Sequence, residues 1–394
     1  MKIASEKERE FILNNLNSDT NKLILQSSKE DIDIKFCVTQ IIGYNKAKEK
    51  FPTLINNKTL IFPPKLNLEQ ASSEETARYK ASLINDKETI RDLTSGFGID
   101  VIFFSEVAHK VYYHEQNIEL AKIAEYNFNQ LNINNIELIK GNSIDSLKNY
   151  EHTDLIYIDP SRRDTNNNKV ILIQDSEPNI INILPQLFEK TNKIFLKLSP
   201  MLDIKHIITE IMNIKEIHII SVKNECKELL VVLEKDYKGE IEFHCINIYS
   251  NQINKFSFFS EPISSKYADK SLLKKDTYLY EPNASIMKAG GYHYISNKYD
   301  IYKLSPHSHL FINDNPIENF PGREFIIKGI MPFNNKTIKN LSKRFPKANI
   351  TIRNFPQTVA QIRKRTNINE GSDEYLFFTT DNQKNMIIIY CNKV

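Results

Sequence analysis

Four short stretches of this chain carry the residue types that chemistry needs. The first is Arg91-Asp92-Leu93-Thr94-Ser95-Gly96-Phe97-Gly98-Ile99-Asp100. Its glycines permit a tight turn and a close approach of backbone to a bound group. A helix that starts just after them aims free N–H groups at whatever lies above the turn. The second is Glu115-Gln116, an acid about 20 residues beyond the glycines, where a carboxylate can accept from two ribose hydroxyls. The third is Gly141-Asn142-Ser143, with Asp145 just beyond. The fourth is Asp159-Pro160-Ser161-Arg162-Arg163-Asp164, which joins an acid, a hydroxyl and two guanidinium groups. A glycine pair alone is more often an ordinary turn.

The elements that must position these groups alternate on the scale of βαβ units. Strands are expected at Thr89–Leu93, Val111–Glu115, Ile136–Ile139, Leu155–Ile158 and Lys193–Leu198. Two more, at Glu216–Val222 and Glu228–Glu234, complete a sheet. Helices are expected from Asp100 to Ala108 and from Ile118 to Leu131, the latter with a core-facing stripe of Leu120, Ile123, Ala124, Phe128 and Leu131. Each polar stretch then falls at the carboxyl end of a strand, where open α/β sheets bind ligands. This serial placement carries the reading.

At 394 residues the chain exceeds one ordinary core. Residues 1–85 read as a helical region, interrupted by Pro52 and by Pro63-Pro64, which cannot continue a helix. Ser72-Ser73-Glu74-Glu75-Thr76-Ala77-Arg78-Tyr79-Lys80 reads as a helix leading into the sheet, either for packing or to bring Arg78, Tyr79 or Lys80 to the site. Residues 86–260 form the sheet domain, and 240–259 a hairpin extending from it. Residues 263–276 read as a polar linker within a connecting module, 261–320, that is rich in Tyr and His. There Asn283 and Lys288 either border the site or are structural. His307-x-His309 has the spacing of a metal pair without a third ligand beside it, so no metal is expected. Residues 321–394 follow a β-α-β-α-β-β pattern.

Net charge is +3, yet from Pro321 onward 13 Lys/Arg face 5 Asp/Glu, leaving the remainder net negative. The basic excess gathers on Lys336, Lys339, Lys343, Arg344, Lys347, Arg353, Arg363, Lys364 and Arg365 and suits either an anionic partner or a solvated face. No run of 18 apolar residues suggests a membrane helix. The charged Glu6–Glu10 segment lacks a signal-peptide core, and the cysteines, Cys37, Cys226, Cys245 and Cys391, form no C-x-x-C pair. A cytoplasmic protein with reduced thiols is expected. Cys226, taken to lie between two strands, reads as structural.

Asp92-x-x-x-Gly96-x-Gly98, Glu115, Gly141-Asn142-Ser143 and Asp159-Pro160 resemble a class I S-adenosylmethionine-dependent methyltransferase. With Ser72–Lys80, Glu281-Pro282-Asn283-Ala284-Ser285-Ile286-Met287-Lys288-Ala289-Gly290 and Arg353-Asn354-Phe355-Pro356, nearly the whole chain is similar to bacterial methyltransferase-like proteins with a C-terminal THUMP-like domain, found in Bacteroidetes and relatives. The resemblance implies an α/β fold: a Rossmann-like seven-stranded sheet, an N-terminal helical region, and small ferredoxin-like (261–320) and THUMP-like (321–394) modules. It implies S-adenosyl-L-methionine as cofactor and RNA, tRNA or rRNA, as partner of the basic region. Asp92, Thr94, Ser95, Gly96, Phe97 and Gly98 would surround the methionine end of the cofactor. Glu115, with Gln116, would hold the ribose, and Asn142 and Ser143 would meet the adenine. Asn142 replaces the usual Asp and accepts without charge.

Asp159, Pro160, Ser161 and Arg162 form the implied catalytic edge, with Asp159 also bordering the cofactor. Amine methyltransferases often carry [Asp/Asn]-Pro-Pro-aromatic here. Ser161 and Arg162 replace the second proline and the stacking ring. Arg162 and Arg163 are then free to hold a phosphate or to pair with Asp164 or Glu177. Three readings result: an RNA methyltransferase, a methyltransferase for a protein or small molecule, and an RNA-binding protein that keeps the fold without catalysis.

Overall fold

The computed structural model describes residues 1–25, 31–161, 176–250, 252–260, 264–269 and 271–394. The chain divides into two units, Met1–Ile217 with Lys227–Gly239, and His218–Cys226 with Glu240–Val394.

The first unit begins with α1 (Glu6–Asn14), α2 (Thr20–Leu25), α3 (Ile34–Lys50), α4 (Lys65–Gln70) and α5 (Glu74–Ala81). In α3 the residues Cys37, Val38, Ile41, Tyr44 and Ala47 recur at helical spacing and are buried. The Lys50 ammonium at its end donates to the carbonyls of Leu68 (2.9 Å) and Glu69 (3.1 Å) and to that of Ala71. Ala71 is extended (ψ 151°), so α4 stops there and α5 starts afresh behind Ser73, whose hydroxyl accepts from the Thr76 amide. The helix expected from Ser72 is therefore shorter. Ser72 stands in the break, where its side chain is free to turn inward.

The strands are β1 (Thr89–Asp92), β2 (Lys110–Glu115), β3 (Ile136–Lys140), β4 (Leu155–Ile158), β5 (Lys193–Leu198), β6 (Ile214–Val222) and β7 (Glu225–Glu234). Between them lie α6 (Ile99–Ser105), α7 (Ile118–Gln130), α8 (Ile180–Phe188) and α9 (Ile204–Glu210). The order is β3-β2-β1-β4-β5-β7-β6. Neighbours from β3 to β5 run parallel, and β7 pairs antiparallel with β5. Every residue of β4 is buried, the pattern of a strand covered on both faces. Strand order reverses between β1 and β4, so the carboxyl ends of these two strands flank the crevice where such sheets bind ligands. Cys226 is the second residue of β7, not a connecting residue. The turn before it is made by Lys223 and Asn224, both at positive φ.

In the second unit β8 (Glu242–Tyr249) and β9 (Gln252–Phe259) form an antiparallel hairpin. The following elements are β10 (Tyr278–Pro282), α10 (Ala284–Ala289), α11 (Tyr292–Lys298), β11 (Tyr302–Lys303), β12 (Phe311–Asn313) and β13 (Gly322–Pro332). They are succeeded by α12 (Asn335–Arg344), β14 (Asn349–Ile352), α13 (Val359–Thr366), β15 (Glu374–Thr380) and β16 (Met386–Lys393). The sheet runs β11-β12-β10-β13-β16-β15-β14. From β13 onward the order is the expected β-α-β-α-β-β. The segment expected as a linker is partly core. Ala268 is buried with Leu279, Leu304 and Ile312, and Tyr267 bridges to Lys303. Tyr267 itself is exposed, and the polar composition around Ala268 hid this one inward residue.

Candidate functional site

The glycine turn is built by side chains that tie it to its neighbours. Ser95 donates its hydroxyl to the Asp92 carbonyl (3.1 Å) and accepts from the His114 amide (3.0 Å), fastening the end of β1 to β2. Asp92 is buried and takes the Thr94 amide at 2.9 Å. Burial pushes its carboxyl well above the usual range, and Asp100 and Asp159 push the same way against the Thr94 hydrogen bond. Gly96 and Gly98 both have positive φ, 55° and 86°. They differ in what a side chain would meet. At Gly96 nothing lies closer than the Thr94 carbonyl oxygen at 4.0 Å, whereas a Cβ on Gly98 would come within 2.8 Å of Phe128. Gly96 thus leaves open space beside its backbone, while Gly98 is required by internal packing. Phe97 turns into the core beside Phe51 and Phe62.

Glu115 ends β2. One carboxylate oxygen accepts from the Gly96 amide at 3.0 Å and the other from the Asn117 amide at 2.6 Å. Burial raises its pKa against those amides. It is thus joined directly to the glycine turn, with Gln116 exposed beside it. Ser143 donates to the Leu93 carbonyl at 2.7 Å and is buried, while Asn142 is exposed and closes a local turn onto the Ile144 amide at 2.9 Å. The ends of β1, β2 and β3 therefore converge on one place.

Asp159 follows β4. Its amide donates to the Thr94 hydroxyl at 2.7 Å, and its carboxylate pairs with Lys197 of β5 at 2.6 Å. Pro160 is buried and Ser161 is exposed; the backbone of Ser161 exchanges hydrogen bonds with Glu177 (2.8 and 3.2 Å). Arg162, Arg163 and Asp164 lie outside the described residues.

Behind Asp159 lies a polar network that the motifs did not reveal. Lys80 of α5 is fully buried and pairs with Asp100 (3.0 Å) and Glu228 (2.7 Å), and it donates to Ser72 (2.9 Å). Ser72 and Tyr157 both donate to Asp100 at 2.8 Å. Burial opposes the charge on Asp100, but Lys80, Lys197 and Ser72 outweigh it and keep its pKa below the ordinary value. Burial likewise opposes the Lys197 ammonium, but Asp159, Glu228 and Asp100 hold its pKa above normal. Asp100, the first residue of the helix expected from the sequence, is an anchor of this network. Lys80 was one of three candidates on its helix. Of the others, Arg78 pairs with Glu74 (2.9 Å) and Glu106 (2.8 Å), and Tyr79 is buried. The sequence did not single Lys80 out from its two neighbours and gave no signal for Glu228, because only the fold brings the two together.

In the second unit, α12 and α13 expose Lys336, Lys339, Lys343, Arg344, Lys364 and Arg365, with Lys347 just beyond α12. Arg363 stands apart: its guanidinium donates to the carbonyls of Ile368 (3.0 Å) and Ala348 (3.2 Å). Arg353 pairs with Glu281 at 2.6 Å. Asn283 is buried, with Lys288 half-buried on α10. His307 is exposed, while the His309 ring lies tilted against Tyr292 (4.3 Å between ring centres).

Comparison with known proteins agrees with this architecture. A ferredoxin-like domain model matches residues 278–321 and a THUMP domain-like model matches residues 322–393. The crystal structure of a candidate methyltransferase from Porphyromonas gingivalis W83 superposes with a TM-score of 0.88 at 29% identity, covering 100% of both chains. An rRNA methylase from Streptococcus thermophilus covers 41% of this chain and 94% of its own, at 16% identity and a TM-score of 0.31. TrmK of M. capricolum, solved with S-adenosyl-homocysteine, covers 45% of this chain and 70% of its own at 16% identity and 0.32. The last two scores are too low to support any inference. No curated protein matches the chain. From the full-length likeness and the two domain matches, the chain is a protein of methyltransferase-like α/β fold that ends in a ferredoxin-like and a THUMP-like domain.

Proposed function

We propose that the chain is a methyltransferase that uses S-adenosyl-L-methionine and acts on RNA, tRNA or rRNA. The observation that carries this reading is the convergence of Asp92, Gly96, Glu115, Ser143 and Asp159 at the carboxyl ends of parallel strands beside the switch point. The donor set fits the cofactor. Glu115 is a carboxylate for the ribose hydroxyls, and Asn142 offers an amide to the adenine edge. The space beside Gly96 admits close approach, and Thr94 lines the same turn. Asp92, whose pKa is raised by burial and by Asp100 and Asp159, suits a cationic ligand that favours its ionised form.

The cofactor would supply an activated methyl group on a sulfonium. The protein aligns the acceptor and excludes water. Asp159, paired with Lys197, orients a protic acceptor through its carboxylate. Pro160 and Ser161 border the same edge. For the partner, the lysines and arginines on α12 and α13 suit phosphate contacts, and the THUMP-like match supports RNA.

The test is incubation of purified protein with methyl-labelled cofactor and total RNA. Label in RNA that disappears with ribonuclease is expected. Label that resists ribonuclease would move the substrate to a protein or small molecule. A second reading, RNA binding without catalysis, is favoured by the occupied Asp159 carboxylate and by Asn142 and Ser161. It would prevail if cofactor bound and no label moved.

A further inference from the structure

The second unit holds a cluster of basic and aromatic groups that the proposed reaction does not use. Its floor is Lys303, 1% exposed on β11. The ammonium donates to the Pro306 carbonyl at 2.7 Å and lies 4.4 Å from the centre of the Tyr292 ring. No described carboxylate is within ion-pair distance, and burial alone lowers its pKa to about 8. A buried ammonium with one carbonyl and a ring for partners is under-compensated.

Around the same tyrosine stand two histidines. The His309 ring lies 4.3 Å from it and the His293 ring 4.6 Å. His293 shares a hydrogen bond with Ser265 (2.8 Å), but the Nδ1 of His309 is buried without a partner. His309 also sits at φ 51°, a conformation that a non-glycine residue holds only where its surroundings enforce it. The charged groups acting most on His309 are Lys303, His307, Arg353 and His293, all basic, and with burial they push it down to about 4. Arg353 has a buried, unpartnered Nε, and it shares Glu281 with Arg323, so neither guanidinium has a carboxylate of its own.

We infer that the cluster of Tyr292, His293, Lys303, His307, His309 and Arg353 is a binding site for a phosphate group. A tetrahedral oxyanion accepts from imidazole and guanidinium donors together and supplies the negative charge that Lys303 lacks. The Tyr292 ring offers an adjoining aromatic face for the nucleoside part of a nucleotide. The site rests on the RNA reading only for the source of the phosphate, which would be a strand terminus or linkage.

The experiment uses the full chain, with histidine NMR during titration with inorganic phosphate. A parallel arm measures binding of a single-stranded oligonucleotide with and without a 5′-phosphate. Phosphate is expected to raise the pKa of His309. The phosphorylated strand should bind about tenfold more tightly, the scale of one charge-assisted hydrogen bond, and His309→Gln should abolish the preference. Lys303→Met should do the same. If that variant unfolds, the partly exposed His309 variant still decides. A His309 signal indifferent to phosphate, with equal binding of both strands, would overturn the inference. A phosphate response without any oligonucleotide binding would uphold the site and sink the RNA reading instead. A response to acetate as strong as to phosphate would also overturn it, because the cluster would then be a general anion patch.

Discussion

The two glycines of the turn after β1 separate ligand access from packing, and alanine at each measures the difference. Both positions hold positive φ, 55° and 86°, so either alanine incurs the left-handed penalty of about 1–2 kcal/mol. Alanine also restricts the unfolded chain, which returns about 0.4–1 kcal/mol. At Gly96 the new methyl meets nothing nearer than 4.0 Å, so the net cost is about 1 kcal/mol. At Gly98 it would stand 2.8 Å from Phe128 and 3.3 Å from Tyr113. Those rings pack edge-on, 5.5 Å between centres, and cannot both retreat. Overpacking adds about 1–3 kcal/mol, so Gly98→Ala should cost about 2–4 kcal/mol in all. The assay is urea unfolding of wild type and both variants, followed by calorimetric titration with S-adenosyl-L-methionine. Gly96→Ala should stay folded and lose cofactor affinity, whereas Gly98→Ala should lose stability first. Equal shifts in midpoint at unchanged slope, or wild-type cofactor affinity in Gly96→Ala, would refute the reasoning.

Other consequences are open to the same kind of measurement. Glu115→Ala should weaken the cofactor by roughly 1.5–3 kcal/mol, the scale of hydrogen bonds to a charged group; an unchanged dissociation constant would remove Glu115 from the site. Burial and Arg91 lower the pKa of His114 to about 3. The ring is therefore neutral in the folded state, and its share of stability is full above about 6.5 and lost as pH falls towards the folded value. Each unit in that window is worth about 1.4 kcal/mol per proton. Urea unfolding at pH 5 and 6.5 should show a stability slope that His114→Gln reduces by one proton, and an unaltered slope would count against it. Neutralising Lys343, Arg344, Lys364 and Arg365 should flatten the salt dependence of RNA binding by roughly 0.7 per true contact on a single strand. Arg363 is left out because its guanidinium holds two carbonyls; Arg363→Gln should instead lower the melting temperature. An identical salt slope would make the cluster a solvated face.

The strands from Thr89 to Glu234 and the first two helices between them were legible because they depend on local periodicity, and the pattern of inward and outward residues declares them, whereas α8 and α9 were not read from the sequence. The polar stretches at strand ends were legible for the same reason: parallel strands joined by crossover connections bring their carboxyl ends to one edge of the sheet. The β-α-β-α-β-β run from Gly322 was equally plain. What the chain did not declare is which side chains meet across long separations. Ser72, Lys80, Asp100, Tyr157 and Glu228 come from four separate stretches, and a buried ion network has no spacing rule, since its members are held by tertiary packing. The pairing of Asp159 with Lys197 likewise depends on β4 lying beside β5. The two glycines look alike in sequence, yet Phe128, some thirty residues on, decides that only one faces open space. Arg363 reads as one more cation in a basic run until the carbonyls of Ala348 and Ile368 are found beside it. Local pattern therefore determined the elements and the end of the sheet at which a ligand would bind. Desolvation and the partners supplied by distant segments decided the charge, freedom and use of each side chain there.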